Sequence, residues 1–168
     1  MTEIIIANLL FLLTVIPDTV SASRKNPKAI LGWQTVSQMF YGVGSLLLNA
    51  PSASVQNLVN IFRNLFAISD QQTRAVQWAL TVLGVVLGAL FNNRGLWGWL
   101  PIVASLLYSL TVLFFGHDER KLKIVFAITL FVYAIFNIPL YNVVGTISNS
   151  AVFVSTVVFL LRDRRANT

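Results

Sequence analysis

The sequence predicts an all-α membrane protein: seven transmembrane helices in a 3+1+3 arrangement, with two parallel three-helix bundles joined by an inverting linker helix. Three observations carry this expectation: a composition too apolar for water, seven apolar runs of spanning length, and a faint internal repeat at an offset of 92 residues. With 56% apolar and 11% charged residues and a mean hydropathy of +0.74, the chain has too little polar surface to cover a water-exposed globule. Its solvent is therefore the lipid bilayer. Cysteine is absent and His117 is the single histidine, which excludes a disulfide framework, a thiolate metal site and a histidine cluster. The net charge of +6 sits mostly in the connections between apolar runs, which reads as membrane topology and not as a nucleic-acid partner.

Crossing roughly 30 Å of hydrocarbon takes about 20 helical residues. Seven runs qualify: Ile4 to Val20, Ala29 to Leu48, Pro51 to Ile68, Ala75 to Phe91, Leu96 to Phe115, Leu122 to Pro139 and Asn142 to Leu161. The third is the least apolar. The first ends in Ser21-Ala22-Ser23, which resembles a cleavage site, but its start carries Glu3 and no Lys or Arg, so it reads as a retained helix. Continuous apolar runs of this length also argue against barrel strands.

Charge orients the stack. With the N-terminus outside, the inner connections and the tail hold Arg24, Lys25, Lys28, Arg63, Arg74, Arg120, Lys121, Lys123, Arg162, Arg164 and Arg165, against Arg94 alone outside. This bias places the C-terminus in the cytoplasm and the chain in a plasma or inner membrane. Trp33, Trp78, Trp97 and Trp99 fall near helix ends, as interfacial belt residues do.

An offset of 92 lays the first three runs on the last three without a gap. It pairs Thr19 with Thr111, Val20 with Val112, Tyr41 with Tyr133, Leu48 with Leu140 and Asn57 with Asn149. So few identities are close to chance, and the weight falls on helix ends and loop charge agreeing at one offset. A copied unit with an odd number of helices reverses direction, and one intervening helix restores it. The expected divisions are 1–70 for the first bundle, 71–94 for the linker and 95–168 for the second bundle with its basic tail. Gly84 and Gly88 give the linker the small-xxx-small spacing of a packing helix.

Polar residues inside hydrocarbon are costly unless paired, so they face a bundle interior or a wet cavity. Asn57, Asn60 and Asn64 recur at i, i+3 and i+7 on the third helix beside Gln56 and Arg63, and Asn142, Thr146 and Asn149 share a face of the seventh. One reading is interhelical hydrogen bonding, worth about 0.6 kcal/mol per contact. The other is a solute pocket of Asn57, Asn149, Tyr41, Tyr133 and Asn60, with the paired asparagines opposed near the outer half of the membrane. Asp18, near the inner end of the first helix, reads as an interfacial carboxylate close to Arg24 and Lys25, so Asp18→Asn should leave transport nearly unchanged. His117 falls in a loop. No nucleotide loop, nucleophile–base pair or metal cluster is present, so neither an enzyme nor a cofactor is expected.

The 3+1+3 plan, the orientation and an asparagine in the third helix of each repeat resemble the SWEET/PQ-loop superfamily. Within it, Asn57-Leu58-Val59-Asn60-Ile61-Phe62-Arg63, Leu100-Pro101-Ile102-Val103 and Phe136-Asn137 followed by Gly145-Thr146-Ile147 are similar to the YgjV-type bacterial inner-membrane proteins. The resemblance implies a carrier for a small polar, uncharged solute such as a sugar, nucleoside or vitamin, rocking between two bundles, and it leaves a homo-oligomer open. Pro17, Pro101 and Pro139 depart from the superfamily's proline pattern and no Pro-Gln dipeptide occurs, so its hinge does not carry over. The rival class is a non-transporting scaffold, receptor or assembly protein whose polar stripes only lock helices together. A wet cavity lined from both bundles separates the two.

Overall fold

The computed structural model of the chain describes residues 2–69, 71 and 73–166, and side chains through Asp163. The tail residues Arg164 and Arg165, used in the charge count, lie outside the described side chains. Among the described residues all regular structure is helical: α1 (Thr2–Leu13), α2 (Val15–Ser23), α3 (Pro27–Leu47), α4 (Pro51–Ile68), α5 (Arg74–Leu90), α6 (Trp99–Phe115), α7 (Glu119–Asn137) and α8 (Val143–Ala166). Since α1 and α2 continue one another along Thr2–Ser23, these eight segments form seven columns.

The break between α1 and α2 has a local cause. Pro17 has no N–H to bond the carbonyl of Leu13, so the ladder lapses there. Beside the break, the Thr14 hydroxyl donates to the Phe11 carbonyl at 2.7 Å. Two other prolines start helices: Pro27 and Pro51 open α3 and α4, where a missing N–H costs nothing. Asn26 and Asp118 cap α3 and α7 by accepting from the backbone N–H of Lys28 at 2.9 Å and of Lys121 at 3.1 Å.

The distribution of side chains is inverted relative to a protein in water. Ile16, Leu46, Leu58, Phe114 and Val143 are exposed, whereas more polar than apolar side chains are buried among the described residues. An outward apolar surface around a polar interior suits a lipid solvent. Two columns, Thr2–Ser23 and Val143–Asp163, are individually long and apolar enough to cross a membrane, with mean hydropathies of 2.0 and 1.8. α5 and α6 are shorter apolar helices, and α3, α4 and α7 carry the buried polar residues that dilute their hydropathy.

Packing closes six columns into a ring. α3 lies between the first column and α4, α4 touches α6, α7 lies between α6 and α8, and α8 returns to α1 and α2. α3 and α7 also touch each other, while α5 packs against α4 and α6. Gly84 and Gly88 make that approach possible: a Cβ on Gly84 would meet Val59, and one on Gly88 would meet Gln56 and Ile102. The Gln56 amide uses the opening, donating from Nε2 to the Gly84 carbonyl at 2.6 Å.

Helix boundaries recur 92 residues apart. Ser23 ends α2 and Phe115 ends α6, Pro27 and Glu119 begin α3 and α7, and Pro51 and Val143 begin α4 and α8. The same spacing holds in backbone detail. Asn49 and Tyr141 both take φ of 53°, and the following residue in each case bonds five positions back, Ala50 N–H to Ser45 O at 2.9 Å and Asn142 N–H to Asn137 O at 3.1 Å. Both are Schellman-type helix ends.

Two residues counted as loop charges are corrected. Arg63 and Lys123 belong to α4 and α7 and are each 1% exposed. Arg63 is held by partners within the fold, and Lys123 pairs with Asp163 of α8 at 3.1 Å. Arg94, the expected exception outside, donates to the carbonyls of Leu48 and Asn49 at 3.0 Å each, satisfying the end of α3. The four tryptophans are all partly exposed, as an interfacial belt requires.

Candidate functional site

Inside the ring lies a partly enclosed cavity of about 50 Å³. All five residues singled out in the sequence, Asn57, Asn149, Tyr41, Tyr133 and Asn60, line it. So do Asp18 and Gln34, with further walls from Ser37, Ser105 and Tyr108. A single water occupies roughly 10–15 Å³ on this measure, and solute pockets usually run to several hundred. As it stands the cavity has room for a few waters.

The five expected residues play different parts. Tyr41 and Tyr133 stack with their centroids 6.5 Å apart, where α3 meets α7. Asn60 is already engaged: its Oδ1 accepts from Arg63 Nη1 at 2.8 Å and from Ser105 Oγ at 2.7 Å. The Asn57 amide turns back on its own helix and donates to the Ala53 carbonyl at 2.9 Å. Asn149 and Tyr41 join across the cavity, with Tyr41 Oη 2.6 Å from Asn149 Oδ1.

Arg63 organises the wall behind Asn60. It donates to Asn64 Oδ1 from Nε at 3.2 Å and Nη2 at 3.0 Å, and from Nη1 to Ser109 Oγ at 3.0 Å, while its guanidinium lies 4.7 Å from the centre of the Tyr108 ring. The donors of a buried cation are thereby spread over amides, a hydroxyl and an aromatic face. Tyr108 in turn donates to Gln34 Oε1 at 2.5 Å.

Asp18 is the largest departure from expectation. It is fully buried, lines the cavity and receives the Tyr41 hydroxyl at 2.9 Å on Oδ2, so it is not an interfacial carboxylate beside Arg24 and Lys25. The reason is directional. Helical side chains tilt toward the N-terminus of their own helix, so Asp18 leans away from the Ser23 end while Tyr41 leans back along α3 toward it. Ser37 sits beside the carboxyl and donates to the Gln34 carbonyl at 3.0 Å.

Four lining residues carry buried polar atoms with no hydrogen-bond partner: Asp18 Oδ1, Gln34 Nε2, Tyr133 Oη and Asn149 Nδ2. Buried polar atoms are normally paired, so such a cluster around one cavity marks a place for water or a polar ligand. The orphans combine an acceptor, amide donors and a hydroxyl that serves as either. Gln34 is not among the expected site residues, although its spacing with Gln38 and Tyr41 at i, i+4 and i+7 marks the face of α3 that lines the cavity. Among the described residues no group of acidic, histidine or cysteine side chains is placed to hold a metal ion.

An apolar exterior, a helical ring and a buried polar cavity define a helical membrane protein with an internal polar site. The chain belongs to the YgjV family, described as bacterial inner membrane protein, whose sequence profile matches residues 5–167. No curated protein and no solved structure matches the chain.

Proposed function

We propose that the chain is a facilitative carrier for a small polar, uncharged solute, a sugar, nucleoside or vitamin in size, working by alternating access. The observation that carries this reading is the cavity, which draws its walls from α2, α3 and α4 on one side and α6, α7 and α8 on the other and is lined by residues with unpaired buried polar atoms. Neutral amides and hydroxyls bind without the desolvation cost of a charged solute, which suits a site that must also release. The conformation described is then one state of a cycle in which the two halves rock and open the cavity to either side.

The 3+1+3 plan, with all seven columns spanning, is part of the same proposal. Its support is the 92-residue recurrence of helix ends and a contact pattern that survives exchange of the two halves. First column to α8 matches α6 to α4, and α3 to α7 maps onto itself. Parallel repeats about an axis along the membrane normal occur among transporters, the SWEET/PQ-loop class included. The basic bias, nine against one without the buried Arg63 and Lys123, favours an outside N-terminus and a cytoplasmic C-terminus. A reporter following Thr168 is then active only in the cytoplasm.

The test of function is uptake by proteoliposomes holding the purified full-length chain, screened with labelled sugars, nucleosides, vitamins and amino acids. Saturable uptake that Asn149→Ala abolishes while folding is retained supports the carrier. Absence of uptake across the panel, with a correctly folded protein, favours the scaffold reading.

A further inference from the structure

The Tyr41 hydroxyl makes two contacts that its one hydrogen cannot satisfy alone. Its oxygen lies 2.9 Å from Asp18 Oδ2 and 2.6 Å from Asn149 Oδ1, both acceptors if the carboxyl is ionised. Two complete arrangements resolve the conflict. With Asp18 protonated, the carboxyl donates to Tyr41 Oη and the tyrosine donates to Asn149 Oδ1, leaving Nδ2 free. With Asp18 ionised, Tyr41 donates to Asp18 and the asparagine amide turns by half a rotation. Its Nδ2 then donates to Tyr41 Oη, and Oδ1 is free. The two differ by one proton, which passes to or from water reaching the cavity, and by rotations of a hydroxyl and an amide; no other covalent bond forms or breaks.

The free end of Asn149 belongs to a residue that lines the cavity, and its unpaired Nδ2 corresponds to the first arrangement. We propose that Asp18, Tyr41 and Asn149 form a proton-binding site whose occupancy decides whether Asn149 offers the solute a donor or an acceptor, which replaces the purely facilitative carrier with a proton-linked one. A protonated site holds a solute through an acceptor that carries no hydrogen, such as a carbonyl oxygen, and loss of the proton replaces that bond with a clash of acceptors. Release and deprotonation therefore go together. The inference rests on the carrier reading above for its consequence but not for its chemistry, and it reverses the expectation that Asp18→Asn would be silent.

The surroundings leave Asp18 as the group that gains and loses the proton. α3 presents Tyr41, and α8 presents the non-titrating Asn149. The one titratable side chain of α1, Glu3, lies in its first turn at the far end of the column. Across the cavity are the phenols Tyr108 and Tyr133, which ordinarily lose protons only near pH 10, and Arg63 is held behind Asn60.

The test needs no solute. Infrared difference spectra of the full-length chain in lipid nanodiscs, taken from about pH 4 to about pH 10, cover the range in which buried carboxyls titrate. The expected result is a carboxylic C=O band that vanishes as pH rises and is missing in Asp18→Asn. A side-chain amide band, missing in Asn149→Ala, should shift with the same midpoint. In Tyr41→Phe the carboxyl band should persist while the amide band no longer follows it, which decides the matter even if Asp18→Asn misfolds. A carboxyl band that does not titrate, or an amide response that survives in Tyr41→Phe, overturns the proposal. Coupled bands without any solute uptake would refute the carrier and leave the proton site standing. Uptake without coupled bands would do the reverse.

Discussion

Tyr41 and Tyr133 stack at an interplanar angle of 17° although 92 positions separate them, and they do so where α3 meets α7 in the middle of the ring. Their hydroxyls have unequal roles, since Tyr41 bridges Asp18 and Asn149 while the buried Tyr133 hydroxyl has no partner. Tyr133→Phe should therefore leave thermal stability unchanged or raise it by up to about 1 kcal/mol, because it deletes a desolvated hydroxyl without breaking a bond. The same change should weaken solute uptake. A clear drop in melting temperature would mean that the hydroxyl has a partner.

Arg63 should be a structural keystone of α4. Arg63→Met leaves Asn64 Oδ1 without its donors and removes the bond to Ser109, at a cost of about 2–3 kcal/mol. Arg63→Lys should recover only part of this, since a point charge cannot reproduce the forked contact with Asn64. Melting curves in detergent check both.

The linker helix offers a contrast between two glycines. Gly88→Leu forces bulk against Gln56 and Ile102 and should cost about 1–3 kcal/mol by pushing α5 off α4 and α6. Gly32→Ala meets only Ile68, at 4.0 Å, and should be tolerated or mildly stabilising. Equal effects would contradict the close packing of α5.

Outside the apolar segments, Asp118 gives a pH dependence of known sign. The backbone N–H of Lys121 holds its carboxyl below the usual carboxylate range. A carboxyl depressed in the folded state stabilises fully above its unfolded value, about 3.9, and that contribution fades as pH falls through the folded value. Asp118→Ala should lower the melting temperature slightly at neutral pH and have no effect in strong acid. A constant difference across the whole range would rule out the cap.

The helices were legible because lipid imposes long apolar runs and because prolines and caps mark where they start. Pro51–Ile68 coincides with the expected third run, and Asn26 and Asp118 fix two starts that hydropathy alone put a few residues late. The pocket was legible in part. Polar spacing on α4 and α8 identified Asn57, Asn60 and Asn149 as inward, but spacing could not tell a free amide from an occupied one. That Asn60 is held by Arg63 and Ser105 depends on a contact with α6. Asp18 was misjudged because its distance from Ser23 suggested an interface, whereas the tilt of its side chain and the reach of Tyr41 bring it inside. Arg63 was misjudged for a similar reason: proximity to a helix end suggested a loop charge, whereas Asn60 and Asn64 on its own helix and Ser109 and Tyr108 on α6 hold it inside.

Alternating access requires the cavity to open to both faces of the membrane, and the absence of native cysteine makes this measurable with single thiols. Ser37→Cys on α3 and Ser105→Cys on α6 each place a thiol in the cavity wall. These variants would be treated with a membrane-impermeant thiol reagent in right-side-out and in inverted vesicles. The account predicts that both thiols are labelled from either side, slowly, as the halves rock. Labelling from neither side, or from one side only, would contradict it.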